Sequence, residues 1–146
     1  MPLRAVTDIA PDAAVPGRAV ITHSGTGTGH VYATDDFGAN WVNLSASLPD
    51  IPFNAVVMVP GTSRIFAAAD VGIYESTDNG ASWSKPSPIF PHGEVGNQII
   101  RLRDGTLVTS HDTRTTSLIF SKDGGQTWQW NQLTKRESEV RPGGSY

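Results

Sequence analysis

Three aspartates stand in one local pattern that could do chemistry. Asp36, Asp78 and Asp123 each lie two residues after a hydroxyl side chain, two before a glycine and five before a tryptophan. The three sets are Thr34, Asp36, Gly38 and Trp41; Ser76, Asp78, Gly80 and Trp83; and Ser121, Asp123, Gly125 and Trp128. An Asp-x-Gly loop is the kind of segment that wraps an oxygen-seeking cation, and a calcium loop of the EF-hand type needs Glu at its twelfth position. Counted from each Asp, that position holds Ser47, Ile89 and Thr134, so no metal is expected. The alternative chemistry is structural. Asp accepts hydrogen bonds from backbone N–H groups a few residues on, the hydroxyl adds a second local bond, and Gly tolerates positive φ. Trp then lays a large apolar ring over the hairpin.

A second group of residues is spread along the chain at places that fall between β-rich segments. Arg4, Asn54 and Asn97 occupy the first such segment of each repeat. His23, Asp70, His111, Asp112 and Arg114 follow the second segments, and Asp50 and His92 precede the first ones. His23 and His111 are equivalent, with Ala69 between them. Together these residues could form a polar binding rim; the plainer reading is solvated loop side chains and strand caps. Glycoside hydrolysis would need two carboxylates about 5 to 9 Å apart. Serine-hydrolase elbows and His-Glu-x-x-His zinc motifs are missing. The Ser24–Gly29 stretch lacks the Lys-Ser/Thr of a phosphate loop and reads as a long connection. No catalytic residue and no cofactor are therefore assigned.

The elements that must position these side chains repeat as well. Trp41, Trp83 and Trp128 recur at intervals of 42 and 45 residues, a period typical of propeller blades. First strands are expected over 3–9, 53–59 and 97–102, second strands over 18–23, 64–69 and 106–111. Third strands fall at 30–34, 72–76 and 117–121, and fourth strands start near each Trp. That makes an all-β chain of three four-stranded antiparallel blades, about 3–45, 53–88 and 95–133, within a unit spanning 1–134. A charged, Gly-rich tail follows at 135–146. No helix is expected, because no segment keeps a 3.6-residue period.

Composition agrees with this. Fifteen glycines and ten prolines in 146 residues suit a turn-dense β protein. A net charge of −3 offers no footprint for nucleic acid. With no cysteine, disulfides, thiolate-bound zinc and thiol nucleophiles are excluded. No apolar run is long enough to insert in a membrane as a helix, and Met1–Arg4 shows no start of a signal peptide.

The three boxes resemble the Asp-box, or BNR, repeats of sialidases, xyloglucanase-type glycosidases, sortilin and secreted bacterial propellers. The resemblance covers about residues 3–132 and implies a segment of a six- to eight-bladed ring, or one completed by oligomerisation. It implies an extracellular or cell-surface setting. It also places the boxes between third and fourth strands, away from the ligand face. The sialidase signature Arg-Ile-Pro is absent near the start, and the first-strand position holds Arg4, Asn54 and Asn97 rather than an arginine each time.

The function expected on these grounds is a non-catalytic module that recognises a glycan or protein through its loop face. The alternatives are a fragment or subunit related to a glycoside hydrolase, and a structural assembly module of a surface layer or appendage. Surface aromatics that could carry a sugar are Phe90 and Trp130, with packing as the default role for both. Three blades leave an apolar sheet face open at each end, so a homo-oligomer or a larger propeller is expected.

Overall fold

A computed structural model describes residues 1–85, 96–111 and 117–132. Eleven strands are formed among them, and none of these residues is helical. The first sheet has the order β1 (Val6–Pro11), β2 (Ala19–His23), β3 (Val31–Thr34), β4 (Val42–Asn43). The second is β5 (Phe53–Met58), β6 (Ile65–Ala69), β7 (Gly72–Ser76). The third is β8 (Gly96–Arg101), β9 (Leu107–His111), β10 (Ser117–Ser121), β11 (Gln129–Gln132). Every neighbouring pair is antiparallel, as short connections between consecutive strands require.

The second sheet has three strands among the described residues, and most of the fourth strand expected after Trp83 lies outside them. Ser84 donates its N–H to the Glu75 carbonyl at 2.8 Å, so the chain just after Trp83 runs beside β7. The first strand starts at Val6 rather than Leu3 and runs on to Pro11, where Asp12 turns the chain. The tail at 135–146 lies outside the described residues.

Alternation along the strands explains how the sheets stack. On β6, Ile65, Ala67 and Ala69 pack towards the first sheet with Val20, Val31 and Phe53. Phe66 and Ala68 point the other way, towards Ile99, Leu107 and Ile119 of the third sheet. The middle sheet is thus apolar on both faces, which is why its strands read as near-continuous hydrophobic runs. The sheets are blades stacked face to face, with one apolar layer at each of the two junctions.

The first strand of each blade carries a register shift at the same place: between Val6 and Asp8, Phe53 and Ala55, and Gly96 and Ile99. A bulge lets two successive residues serve one face. In β1 these are Thr7 and Asp8. The Thr7 hydroxyl donates to the Phe53 carbonyl at 2.6 Å, and Asp8 Oδ2 accepts the Val56 N–H at 3.0 Å. The innermost strands of the first two blades are therefore tied across the junction by their own side chains.

Candidate functional site

The three boxes form one structure three times. In the second, Ser76 Oγ donates to Asp78 Oδ1 at 2.8 Å and accepts the Gly80 N–H at 2.8 Å. Asp78 Oδ1 also takes the Ser82 N–H at 2.9 Å, and Oδ2 takes the Ser82 hydroxyl at 2.5 Å. Thr34 and Asp36 repeat this with Gly38 and with both donors of Asn40. Ser121 and Asp123 repeat it with Gly125 and with the backbone and hydroxyl of Thr127. Ser82, Thr127 and Asn40 were not singled out in the sequence. The signal was there: each residue just before the box tryptophan carries a side-chain donor.

These donors hold the carboxylates in the ionised form. The Ser82 hydroxyl and N–H pull the Asp78 pKa down to about 2, and Thr127 does the same for Asp123, also to about 2. The Asn40 N–H lowers that of Asp36. Both oxygens of each carboxylate accept hydrogen bonds from their own turn. Among the described residues, no cluster of three or more His, Asp or Glu side chains is arranged to hold a metal ion.

The opposite ends of the blades carry the loop residues. The Asp50 carboxylate accepts the Gly27 N–H with both oxygens, at 2.7 and 2.8 Å, and its Oδ1 meets His30 Nε2 at 2.9 Å. The Gly27 N–H first, and His30 second, lower the Asp50 pKa. His30 itself is buried and stacked on Phe53, with ring centroids 5.7 Å apart. Arg4 Nη2 donates to the Thr26 carbonyl at 3.3 Å, bracing the other side of the same glycine-rich loop. In the second blade, Asn54 Nδ2 donates to Asp70 Oδ1 at 2.8 Å. The Ser24–Gly29 connection is thus held by Arg4 and Asp50 rather than left loose.

His23 does not meet the expectation of a solvated loop histidine. It is 1 % exposed, lies edge-on to Tyr32 at 5.5 Å, and neither ring nitrogen has a hydrogen-bond partner among the described residues. It occupies the last position of β2, as Ala69 does in β6 and His111 in β9. Its ring therefore lies on the sheet instead of projecting from the loop. Asn97 and His111 lie on β8 and β9, with no side-chain placement described; His92, Asp112 and Arg114 lie outside the described residues, as does Phe90. Trp130 lies on β11 and is partly exposed.

Residues 74–85 and 119–129 match the BNR/Asp-box repeat family, covering the second and third boxes. No curated protein matches the sequence. Among solved structures, YCF48 bound to D1 peptide superposes with a TM-score of 0.63 at 21 % identity, over 87 % of this chain and 40 % of that one. An ancestral GH74 enzyme gives a TM-score of 0.72 at 18 % identity, over 91 % of this chain and 19 % of that one. The GH74 enzyme of Niastella koreensis gives 0.66 at 16 % identity, over 84 % and 20 %. The chain spans well under half the length of each of these proteins, and at such identities the likeness is one of fold. Three stacked antiparallel blades, each closed by the same carboxylate-held turn, make this chain a β-propeller segment built on BNR/Asp-box repeats.

Proposed function

We propose that the chain is a non-catalytic interaction module that takes an extended peptide segment of a protein partner on its loop face. The rim is drawn from Arg4, Asn54 and Asp70, with Asn97, His111, His92, Asp112 and Arg114 as the expected contributions of the third blade and its approach. The observation that carries this reading is the state of the rim carboxylates. Asp50 is held ionised by the Gly27 N–H and His30, so it is a poor proton donor while its exposed carboxylate keeps lone pairs for further donors; Asp70 accepts from Asn54 with one oxygen. Groups held this way suit fixed recognition of N–H and hydroxyl donors better than general acid catalysis. The YCF48 structure, described as bound to a peptide, offers a precedent for a peptide ligand on this fold.

A glycan ligand is the second reading, favoured by the GH74 neighbours, which share the fold. Peptide and glycan arrays probed with the intact chain, alongside hydrolysis assays on fluorogenic glycosides, separate the readings. The expected result is peptide binding, weakened about tenfold by the double change Asn54→Ala with Asp70→Ala, and no hydrolysis. Binding to glycans alone, or turnover of any glycoside, would overturn the proposal.

A further inference from the structure

The two internal junctions share one scaffold but are filled differently. In each, the arginine just before the second strand reaches the next blade's box. Arg18 Nη2 donates to Asn79 Oδ1, and Arg64 Nη2 donates to the Gly124 carbonyl at 2.6 Å. Ala19 pairs with Thr34 and Ile65 with Ser76, so Val20 corresponds to Phe66 and Ala33 to Glu75. At the second junction the larger side chains complete the wall. Arg64 Cζ lies 5.2 Å from the Phe66 ring centroid, and Glu75 Oε1 accepts from Arg64 Nε at 2.9 Å and Nη2 at 2.6 Å.

At the first junction both positions are small. Leu44 packs against Gly80 as Phe66 does against Gly125, but no side chain of the first blade stands where Glu75 stands in the second. A cleft of about 520 Å³ is left between the first two blades, floored by Val20, Ala33, Val42, Leu44 and Ile65. Val42 lies opposite Ala33, and Ala33 opposite Val20, so all three face the second blade. Val42 is nevertheless 63 % exposed. Both walls of this cleft belong to the chain itself.

Arg18 gives the cleft a polar edge. Among the described residues its Nε–H makes no hydrogen bond; Asp35 Oδ1, on a side chain 82 % exposed, lies 3.6 Å away, beyond hydrogen-bonding distance. The Arg18 side chain is only 15 % exposed, so this donor is largely cut off from water, and an acceptor placed there would be favourable. Its charge is already met on another side. Nη1 faces Asp12 Oδ2 at 3.4 Å, and the buried Asp12 carboxylate also accepts the Ala14 and Gly61 N–H groups. Asp12 and Val59 are equivalent, each donating its N–H to the carbonyl of its blade's arginine. The counter-charge that Glu75 gives Arg64 thus comes to Arg18 from the other side. With Asp35 and Asp36 also lining the cleft, a further anion would be repelled. The edge lacks an uncharged acceptor and the floor lacks an apolar side chain; a peptide residue brings both.

We propose that this cleft takes an apolar residue, such as leucine, from a peptide segment of a partner protein, with its carbonyl on Arg18 Nε and its side chain over Val20, Ala33 and Val42. The contact lies at the box end of the blades and is independent of the loop-face rim.

NMR titration of the intact, isotope-labelled chain tests this, because an arginine Nε–H resonance reports its own acceptor. N-acetylleucine methylamide at millimolar concentration is expected to shift the Arg18 Nε–H and the backbone amides of Ala33 and Val42. N-acetylglycine methylamide, which lacks the side chain, and N-acetylleucine, which carries a carboxylate, are expected to bind about tenfold more weakly. A capped pentapeptide with leucine among glycines should bind at least as well as the short amide. Ala33→Glu supplies the missing carboxylate from within and is expected to weaken binding about tenfold. Arg64 and Glu75 already hold such a pair, and circular dichroism checks the fold; Ala33→Leu, which fills the floor without charge, is the second blocking variant. Asn54→Ala with Asp70→Ala alters only the rim and should leave the shifts unchanged. The proposal is overturned by an unmoved Arg18 resonance, by tighter binding of the carboxylate, or by full binding to both Ala33 variants. Exclusion of the pentapeptide, or loss of the shifts in the rim variant, would equally overturn it.

Discussion

The indole N–H of Trp83 and the carbonyl of Leu44 join two blades across 2.8 Å, whereas Trp41 and Trp128 turn their N–H groups onto Gly38 and Gly125 of their own boxes. The same residue type in the same motif thus has two kinds of partner. Trp83 also packs into the apolar layer between the first two blades. Trp83→Ala is expected to cost about 3 kcal/mol, from lost packing and an orphaned carbonyl, while Trp41→Ala, on the open face, costs less. Urea unfolding of the two variants, followed by far-UV circular dichroism, compares them directly. An equal loss would place the Trp83 contribution within its own hairpin.

Acid should release the boxes. The folded pKa of Asp78 and Asp123 is depressed to about 2, against an unfolded value near 3.9. A depressed carboxylate adds stability that is fully present above the unfolded pKa and lost as pH falls through the folded one. The melting temperature is expected to stay level from pH 7 to 5 as far as these groups are concerned, then fall between about pH 4 and pH 2. Asp78→Asn lowers it at neutral pH and makes the acid decline shallower. A variant that keeps the full decline would show that other groups drive it.

His23 keeps two buried nitrogens without partners among the described residues. His23→Phe preserves the ring against Tyr32 and removes both, so it is expected to raise stability by about 1 kcal/mol. His23→Ala instead opens a gap in the packed face and lowers it. Urea midpoints at pH 7.5 measure both changes. Destabilisation by His23→Phe would mean that the nitrogens make bonds in solution, for instance to ordered water.

Gly80 has two reasons to be glycine. Its φ is +86, and a Cβ there would come within 2.5 Å of Leu44 Cδ1 on the neighbouring blade. Gly27 has a similar φ of +77 but open space around it. Gly27→Ala should show backbone strain alone, about 1–2 kcal/mol, and Gly80→Ala about 1–3 kcal/mol more because the blades must also part. Thermal denaturation of the two variants separates strain from clash. Equal losses would mean that Leu44 moves aside freely.

What could be read along the chain was what lies within about ten residues. The repeat and its turn signals placed β6, β7, β9 and β10 to within a residue. The box pattern specified its own turn, since Ser76, Asp78, Gly80 and Ser82 bond to one another without help from elsewhere. Local hydrogen bonds leave that kind of trace because donor and acceptor keep a constant spacing. Contacts between blades do not. Nothing near Thr7 or Asp8 announces that Phe53 and Val56 lie opposite them, and nothing near Asp50 announces His30 or Gly27. His23 looked like a loop residue because its strand ends there; only the sheet's side-chain alternation, together with Tyr32 on the next strand, turned its ring inward. Partner and burial were decided by stacking one blade on another, which joins residues some forty to fifty positions apart through shape and apolar area rather than through spacing.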